Sequence, residues 1–336
     1  MYDFKRITPT DEVWKVIEGT YDGTLYKTKA WFEYLAYQRC EPFIAEVLQD
    51  GALKGYFVGE LLKRGVWTLG SPLEGVGTGS QGLSMLSETL APDRIEIYEE
   101  LAKWVFKNRF AVLLQVEDWQ LEIYDFEGKE DLMEYHDASW IDLTADEATM
   151  FARMDKKSCR YKVNKAVKEG VVIREAQDPE KFLDIHYEQC KSVMHGKGLE
   201  PLRSKSHLRE MIKILYPNYL ILLEAVAPTG EVIATGIYAT SDKTACSFSS
   251  ASYREYSHFC ANELIRWEAF KRCKARGASL FNNNGCMDFK LKFGAYRDFR
   301  PRLVFSKYKM AGTFRKFFKE LWHKFRFTSY KIIRRS

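Results

Sequence analysis

A predicted strand that runs into a helix between Cys246 and Tyr296 has the features best suited to chemistry. The strand CSFSSAS passes through the loop YREYSHFC into the helix ANELIRWEAFKRCKARG. A strand that feeds a helix N-terminus leaves backbone N–H groups available for an anion or a developing oxyanion. Acyl transfer from a carbonyl donor to an amine requires such groups. We therefore expect the backbone around Ser250 and Ser252 to stabilise an oxyanion, which makes both residues catalytic candidates.

Lys290 is the cationic candidate that follows this helix, in the run FKLKFGAY. It could hold a phosphate or stabilise charge at an acyl centre. The alternative is a surface lysine between two core residues. His258 could act as a base, because its unperturbed pKa lies near neutrality. We favour the other interpretation, in which His258 caps the loop and Asn262 serves the start of the helix.

A basic helix is predicted from Ser158 to Gly170, where the glycine ends it. Its apolar residues fall on one face, and Arg160, Lys165 and the other cations fall largely elsewhere. This pattern is typical of a solvated face. It could also hold a phosphorylated substrate or tRNA through sequence-independent contacts. Arg160 and Lys165 are therefore substrate-binding candidates.

The cysteines do not predict metal or thiol chemistry. The chain has seven, an odd count, and no C-x-x-C pair, which argues against a disulfide framework or a thiolate zinc site. His186 and Cys190 are one helical turn apart and could share a metal, but no second pair is in view. We interpret them as ordinary helix residues and predict no metal site. Cys286 lacks a histidine nearby in sequence to activate it.

Two halves of the chain repeat one order of elements: strand, turn, strand, strand, helix, strand. The first half includes a hairpin at Asp50-Gly51 and a helix opened by Pro92 that places Ile95, Tyr98 and Leu101 on one face. The order predicts an α/β or α+β fold with mixed sheets flanked by helices. We place an N-terminal domain at residues 1–143, a C-terminal domain at 144–311 and a terminal helix at 312–336.

The terminal helix is predicted to be basic and amphipathic. From Lys307 onward ten cations face one acid, Glu320, and a broad apolar face begins at Phe314. Such a helix could lie on an anionic membrane surface. The alternative, which we favour slightly, is that its apolar face docks on the first domain.

Composition excludes several classes of protein. The chain has 336 residues, of which 46% are hydrophobic and 15% aromatic, values that fit a packed globular protein and exclude a disordered or collagen-like one. No apolar run is long enough to span a bilayer, and the N-terminus lacks the apolar region of a signal peptide. We expect a cytoplasmic protein whose contact with the inner membrane face, if any, is peripheral.

In the order of its motifs the chain resembles the FemABX-like branch of the GNAT acetyltransferase superfamily. The likeness rests on Tyr253-Arg254 before the loop, Asn262-Glu263-Leu264 opening the helix, the strand end LFNNNG that contains Asn283, and Phe289-Lys290 followed by Phe293-Gly294. The basic helix and the early segments GYFVGE and LGSPLEGVGTG extend it over most of the chain. The resemblance implies two tandem GNAT-like acyl-CoA N-acyltransferase domains.

The resemblance also implies a reaction: transfer of an acyl or aminoacyl group to an amine of a cell-envelope precursor or glycan. No cofactor is implied beyond the donor, either acyl-CoA or aminoacyl-tRNA. Relatives that use acyl-CoA have a glycine-rich pyrophosphate loop where this chain has the glycine-free Tyr256–Ala261, so tRNA is a serious candidate. Tyr253, His258, Asn262 and Asn283 would then bind substrate. The alternative function is a non-catalytic GNAT-fold protein that grips RNA or a membrane through its basic tail.

Overall fold

The computed structural model describes residues 1–308 except 39, 64–66, 74–78, 130–131, 197, 202 and 242. It divides into two compact units: unit 1 comprises Met1–His136 and the segment that begins at Phe299, and unit 2 comprises Asp137–Asp298. Within these described residues, no helix is both long enough and apolar enough to cross a membrane. The predicted terminal helix at 312–336, with both of its predicted roles, lies outside the described residues.

Unit 1 is a mixed sheet with helices. Its strands are β1 (Tyr2–Ile7), β2 (Glu41–Gln49), β3 (Ala52–Leu62), β4 (Thr68–Ser71), β5 (Gly82–Met85) and β6 (Leu113–Val116), and its helices are α1 (Asp11–Glu18), α2 (Lys29–Tyr37) and α3 (Ala91–Lys107). The strands lie in the order β1-β2-β3-β4-β6, with β5 also paired to β3. The β4–β6 pair is parallel, and the other pairs are antiparallel.

Two local predictions for unit 1 are confirmed. Asp50 and Gly51 join β2 to β3 with φ values of 51° and 79°, and positive φ at both central residues is what a type I′ hairpin turn requires. Pro92 lies in the first turn of α3, and the helix buries Ile95, Tyr98 and Leu101. The hydrophobic period in the sequence therefore identified the core face of this helix.

Unit 2 is a second mixed sheet flanked by helices. Its strands are β7 (Met133–Asp142), which begins at the end of unit 1, β8 (Val172–Glu175), β9 (Leu220–Val226), β10 (Val232–Thr240), β11 (Thr244–Ser252) and β12 (Leu280–Asn282). Its helices are α4 (Glu147–Arg153), a π turn at Lys156–Arg160, α5 (Tyr161–Lys168), α6 (Pro179–His195), α7 (Lys205–Leu215), α8 (Ala261–Ala275) and α9 (Asp288–Leu291). The last strand, β13 (Tyr296–Ser306), begins in unit 2 and continues into unit 1. The strand order is β7-β12-β11-β10-β9-β8. The predicted fold class, mixed sheets flanked by helices, is confirmed.

The structure draws the unit boundaries differently from the predicted 1–143 and 144–311. The end of β7 pairs with β12, Asp142 opposite Leu280, so the residues from Asp137 belong to unit 2. The end of β13 pairs with β6, Leu303 opposite Val116, so the chain returns to unit 1 at Phe299. Both boundaries depend on pairing between strands far apart in sequence, which the local pattern does not contain.

A buried ionic network holds the interior of unit 1. Arg94 is fully buried, and its Nη1 and Nη2 donate to Asp118 Oδ2 at 2.6 Å and Asp22 Oδ2 at 2.5 Å. The Tyr98 hydroxyl also donates to Asp118 Oδ2, at 2.5 Å. Burial alone would raise the pKa of Asp118, but the Arg94 charge and these hydrogen bonds hold it below its usual range. The carboxylate is therefore ionised, and its stabilising effect is lost only as the pH falls through this lowered pKa.

We predict that Arg94→Met destabilises unit 1 by about 3–5 kcal/mol, because it leaves two buried carboxylates without the cation between them. Urea unfolding followed by tryptophan fluorescence measures the change. The matched control is Lys103→Ala, which breaks the exposed Lys103–Glu100 pair and should change the free energy of unfolding by less than about 1 kcal/mol. Equal unfolding midpoints for Arg94→Met and the native protein would contradict the prediction.

Candidate functional site

The candidate site begins where β11 and β12 part. The two strands pair in parallel from Thr244 opposite Leu280 to Cys246 opposite Asn282, and β12 then ends. β11 continues to Ser252. Asn284 Nδ2 bridges the start of the gap by donating to Ser247 O at 2.7 Å. In the described part of unit 2, the edge of β11 beyond this bridge is therefore not paired with β12, and we call the region between this edge and the chain after β12 the opening.

A β-bulge lies in β11 at the same place. Ser247 lies opposite Tyr238 of β10, whereas Ser249 lies opposite Ile237, so Phe248 is the additional residue. Bulges increase the local twist and redirect neighbouring groups, and they are frequent beside active sites. The bulge therefore changes the direction of the backbone groups from Ser249 onward, just where β11 leaves β12.

Ser252 and Asn262 come together at the mouth of this opening. Asn262 lies in the first turn of α8, and its Nδ2 donates to Ser252 Oγ at 2.7 Å. The side chain of Asn262 thus links the helix to the end of β11; among the described residues, no side chain caps α8. Ser250 is exposed and lies opposite Gly236 of β10. Both serines predicted to be catalytic are thus at the parted end of β11.

Tyr253 and His258 belong to the segment that joins β11 to α8. Tyr253 is half-buried and precedes a 3₁₀ turn at Arg254–Phe259, and burial raises the pKa of its hydroxyl. His258 is exposed, its Nδ1 lies 3.1 Å from Glu255 O, and its ring centroid lies 4.2 Å from that of Phe259. These contacts are internal to the turn, as expected if His258 stabilises the loop rather than acting as a base.

Lys290 is a buried lysine on the far side of the opening, so the surface alternative is wrong. It lies on α9 with 8% of its surface exposed. Its Nζ donates to Asn283 O at 2.7 Å and to Asn284 O at 2.6 Å. Burial, with the positive charge of Arg266, lowers the pKa of Lys290 to about 8. The structure therefore joins two predicted site residues, Lys290 and Asn283.

Arg266 completes this cluster, and sequence reasoning did not select it. It is 7% exposed and donates from Nη1 to Asn283 Oδ1 at 2.9 Å. Burial raises the pKa of nearby Tyr238 to about 12, against the opposing charge of Arg266. Neither the Tyr238 hydroxyl nor Asn283 Nδ2 has a hydrogen-bond partner among the described residues. The signal in the sequence is an arginine inside the apolar run LIRWEAF of α8.

Arg160 and Lys165 lie apart from these contacts. Arg160 ends the π turn before α5 and Lys165 lies on α5, and both are half-buried. Their neighbour Lys162 makes the ionic contact with α8, through Glu263 at 2.8 Å. The sequence does not distinguish Lys162, because all the cations of this helix fall largely outside its apolar face.

His186 and Cys190 are in contact, with Cys190 Sγ 3.5 Å from His186 Nε2. The described residues contain no group of three or more His, Cys, Asp or Glu side chains able to hold a metal ion. Both side chains instead contact Ser249 of β11: His186 Nε2 lies 2.9 Å, and Cys190 Sγ 3.8 Å, from its hydroxyl oxygen. His186, on α6, therefore lies beside the candidate site and contacts the strand β11 that forms it.

Residues 153–291, which lie in unit 2, match the family model of the acetyltransferase (GNAT) domain. Over the whole chain, the crystal structure of FemX is similar with a TM-score of 0.68 and 12% identity, covering 88% of this chain and 96% of that one. The C-terminal domain of a predicted lysylphosphatidylglycerol synthetase from Agrobacterium fabrum has a TM-score of 0.55 and 11% identity, covering 91% and 93%. The crystal structure of a conserved protein of unknown function from Bacteroides thetaiotaomicron has a TM-score of 0.57 and 11% sequence identity, and the match covers 90% of this chain and 99% of that one.

At these identities the similarity to solved structures is one of fold. No curated protein matches the chain significantly. The family model matches the C-terminal part of the chain and the FemX structure shares its fold, and both agree with the predicted resemblance to the FemABX-like branch of the GNAT superfamily. They support an acyltransferase in general terms.

We predict that Cys260→Gly stabilises unit 2. Cys260 precedes α8 with φ 56°, a left-handed conformation that costs a residue with a Cβ about 1–2 kcal/mol and that glycine adopts readily. The gain in unfolding free energy should reach about 1 kcal/mol after the larger entropy loss of glycine. Thermal unfolding measures it. Ala152→Gly, on the exposed side of α4, is the control and should lower stability by about 0.5–1 kcal/mol; a decrease for both variants would contradict the prediction.

Proposed function

We propose that unit 2 joins an acyl or aminoacyl group to an amine at the opening beside β11. The observation that carries the proposal is that β11 continues beyond its pairing with β12, while the buried cations Lys290 and Arg266 contact the residues that follow β12. Fixed N–H donors and positive charge in a site of low dielectric stabilise the negative charge that develops on a carbonyl oxygen. The GNAT class of the domain supports the same chemistry.

The proposed reaction proceeds without a covalent enzyme intermediate. A neutral amine attacks the donor carbonyl, a C–N bond forms, and the bond to the departing oxygen or sulfur breaks. The departing atom leaves with the proton that the amine gives up. Backbone N–H groups around Ser250 and Ser252 stabilise the oxyanion, so these serines act through the main chain. Lys290 stabilises a phosphate or the charge of the transferred group.

We propose aminoacyl-tRNA as the donor, with acyl-CoA as the alternative, and an amine of a cell-envelope precursor or glycan as the acceptor. The segment before α8 supports tRNA, since a glycine-free 3₁₀ turn at Arg254–Phe259 stands where a pyrophosphate loop would be expected. Arg160 and Lys165 on the nearby helix could add phosphate contacts. The fold shared with FemX and with a protein named for an aminoacylated lipid favours an acceptor in the cell envelope.

The donor can be identified by direct binding. We expect charged tRNA to be retained in a filter assay, and acetyl-CoA to give weak heat in calorimetry, because the turn offers no glycine-rich cradle for a pyrophosphate. Uncharged tRNA is the control for contacts with the phosphate backbone alone. Tight binding of acetyl-CoA would reverse the order of the two donors, and binding of either without transfer to any amine would favour a non-catalytic protein.

Lys290→Ala should reduce turnover more than tenfold, a loss of about 1.4 kcal/mol or more of transition-state stabilisation. Lys290 loses its charge as the pH rises through its pKa of about 8, whereas an arginine keeps its charge. The ratio of native to Lys290→Arg turnover should therefore fall above about pH 8.

The control for Lys290 is Lys292→Ala, an exposed lysine just after α9 that should keep native turnover. Thermal unfolding of each variant shows whether it is folded. Native turnover in a folded Lys290→Ala protein would remove Lys290 from the site, and a constant ratio across pH would show that its charge is not required.

A further inference from the structure

Four polar side chains form a continuous hydrogen-bonded chain beneath the parted end of β11. They are Gln189 and His186 of α6, Thr235 of β10 and Ser249 of β11, and we call them the His186 chain. Thr235 Oγ1 lies 2.5 Å from Gln189 Oε1 and 2.8 Å from His186 Nδ1, and His186 Nε2 lies 2.9 Å from Ser249 Oγ. His186, Gln189 and Thr235 are fully buried, whereas Ser249 is half-buried. Ser249 is the member of the chain that reaches a surface.

The positions of the protons follow from the partners of Gln189. Its Nε2 donates to Val232 O at 3.3 Å, so its Oε1 accepts from the Thr235 hydroxyl. A hydroxyl has one proton, and that of Thr235 is used. Thr235 must therefore accept from His186, and the imidazole proton is on Nδ1.

His186 is neutral as well as oriented. Burial lowers its pKa to about 4, and its ring lies parallel to that of Phe182 with 5.6 Å between centroids. With the proton on Nδ1, Nε2 has only a lone pair and must accept. Two groups could donate to Nε2. The Ser249 hydroxyl is the nearer, at 2.9 Å, whereas the Cys190 thiol, which stays protonated because burial raises its pKa, lies 3.5 Å away. The hydroxyl proton of Ser249 therefore points into the protein.

We propose that Ser249 accepts a hydrogen bond from the N–H of the attacking amine, and that His186, Thr235 and Gln189 are positioning residues that make it an acceptor only. This inference rests on the proposed acyl transfer. Ser249 is adjacent to Ser250, whose backbone is proposed to bind the oxyanion, and it follows the bulge at Phe248. An amine whose N–H points to Ser249 is held at the reacting edge of β11, where its lone pair can reach the carbonyl.

The chain orients the amine and does not store its proton. An imidazole that resists protonation is a poor base near neutral pH. The amine forms the C–N bond, the bond to the departing oxygen or sulfur breaks, and the amine proton leaves with that atom. Ser249 keeps its own hydrogen throughout. The role of the chain is to prevent the Ser249 hydroxyl from turning outward, where it would donate to the amine lone pair and block attack.

The first test needs no substrate. Nitrogen–proton NMR of the histidine rings in the full-length protein, assigned with a His186→Gln variant, distinguishes the two neutral tautomers. We expect the Nδ1–H form of His186 at pH 7, and a shift toward Nε2–H in Thr235→Val, which removes the acceptor at Nδ1. An Nε2–H form in the native protein would overturn the inference whether or not the protein is an acyltransferase.

The second test uses turnover with charged tRNA or acetyl-CoA as donor and hydroxylamine or glucosamine as acceptor. We expect Ser249→Ala to lower kcat at least tenfold with the donor KM unchanged. Thr235→Val should lower kcat although it touches no substrate, and Thr235→Ser should restore it. Ser279→Ala, an exposed serine before β12, should keep the native rate.

The outcomes separate this inference from the function on which it rests. Native kcat in Ser249→Ala, or no recovery in a folded Thr235→Ser protein, would overturn the role of the His186 chain and leave acyl transfer standing. If the native protein transfers no group to either amine from either donor, the proposed function fails and the inference fails with it.

Discussion

The early end of pairing between β11 and β12 is the constraint on which the candidate site depends. Backbone N–H and C=O groups inside a protein need partners, and a strand that loses its neighbour must find others. Asn284 supplies one by binding Ser247 O, and the edge beyond is left facing an opening. The bulge at Phe248 then changes the direction of those groups. The chemistry proposed for unit 2 therefore originates in where a strand stops.

Positive charge at the opening is the second consequence of this arrangement. The atoms that accept from Lys290 and Arg266 in the hydrogen bonds described above are neutral: two main-chain carbonyls and the Asn283 side-chain amide. Neutral acceptors satisfy hydrogen bonds without cancelling charge, so the cluster stays suited to an anion. In unit 1 the opposite holds, because Arg94 lies between the carboxylates of Asp22 and Asp118. The two units share an outline, but in unit 1 carboxylates of the same unit neutralise the charge of the buried Arg94.

Successive residues of a strand point to opposite faces, and β11 makes use of both. Ser249 points toward α6, where His186 sets the direction of its proton, and Ser252 contacts the start of α8 through Asn262. The backbone between them lies at the open edge. In the proposed reaction, one strand thus combines an acceptor for the incoming amine with donors for the oxyanion, and the fully buried side chains of α6 and β10 keep that acceptor fixed.

The sequence by itself determined the fold class, most helices and strands, and the segment from Cys246 to Tyr296, which contains much of the candidate site. These features follow from local period, turn residues and motif order, as at Asp50-Gly51 and along α3. It did not determine the unit boundaries, because the partner of β13 is a strand about 190 residues earlier, by the offset between Leu303 and Val116. Nor did it distinguish a buried Lys290 from a surface lysine, or find Arg266 and the His186 chain. These side chains lie on five separate elements, α6, α8, α9, β10 and β11, that meet only in the folded domain, so only the tertiary structure decided their burial and their hydrogen-bond partners.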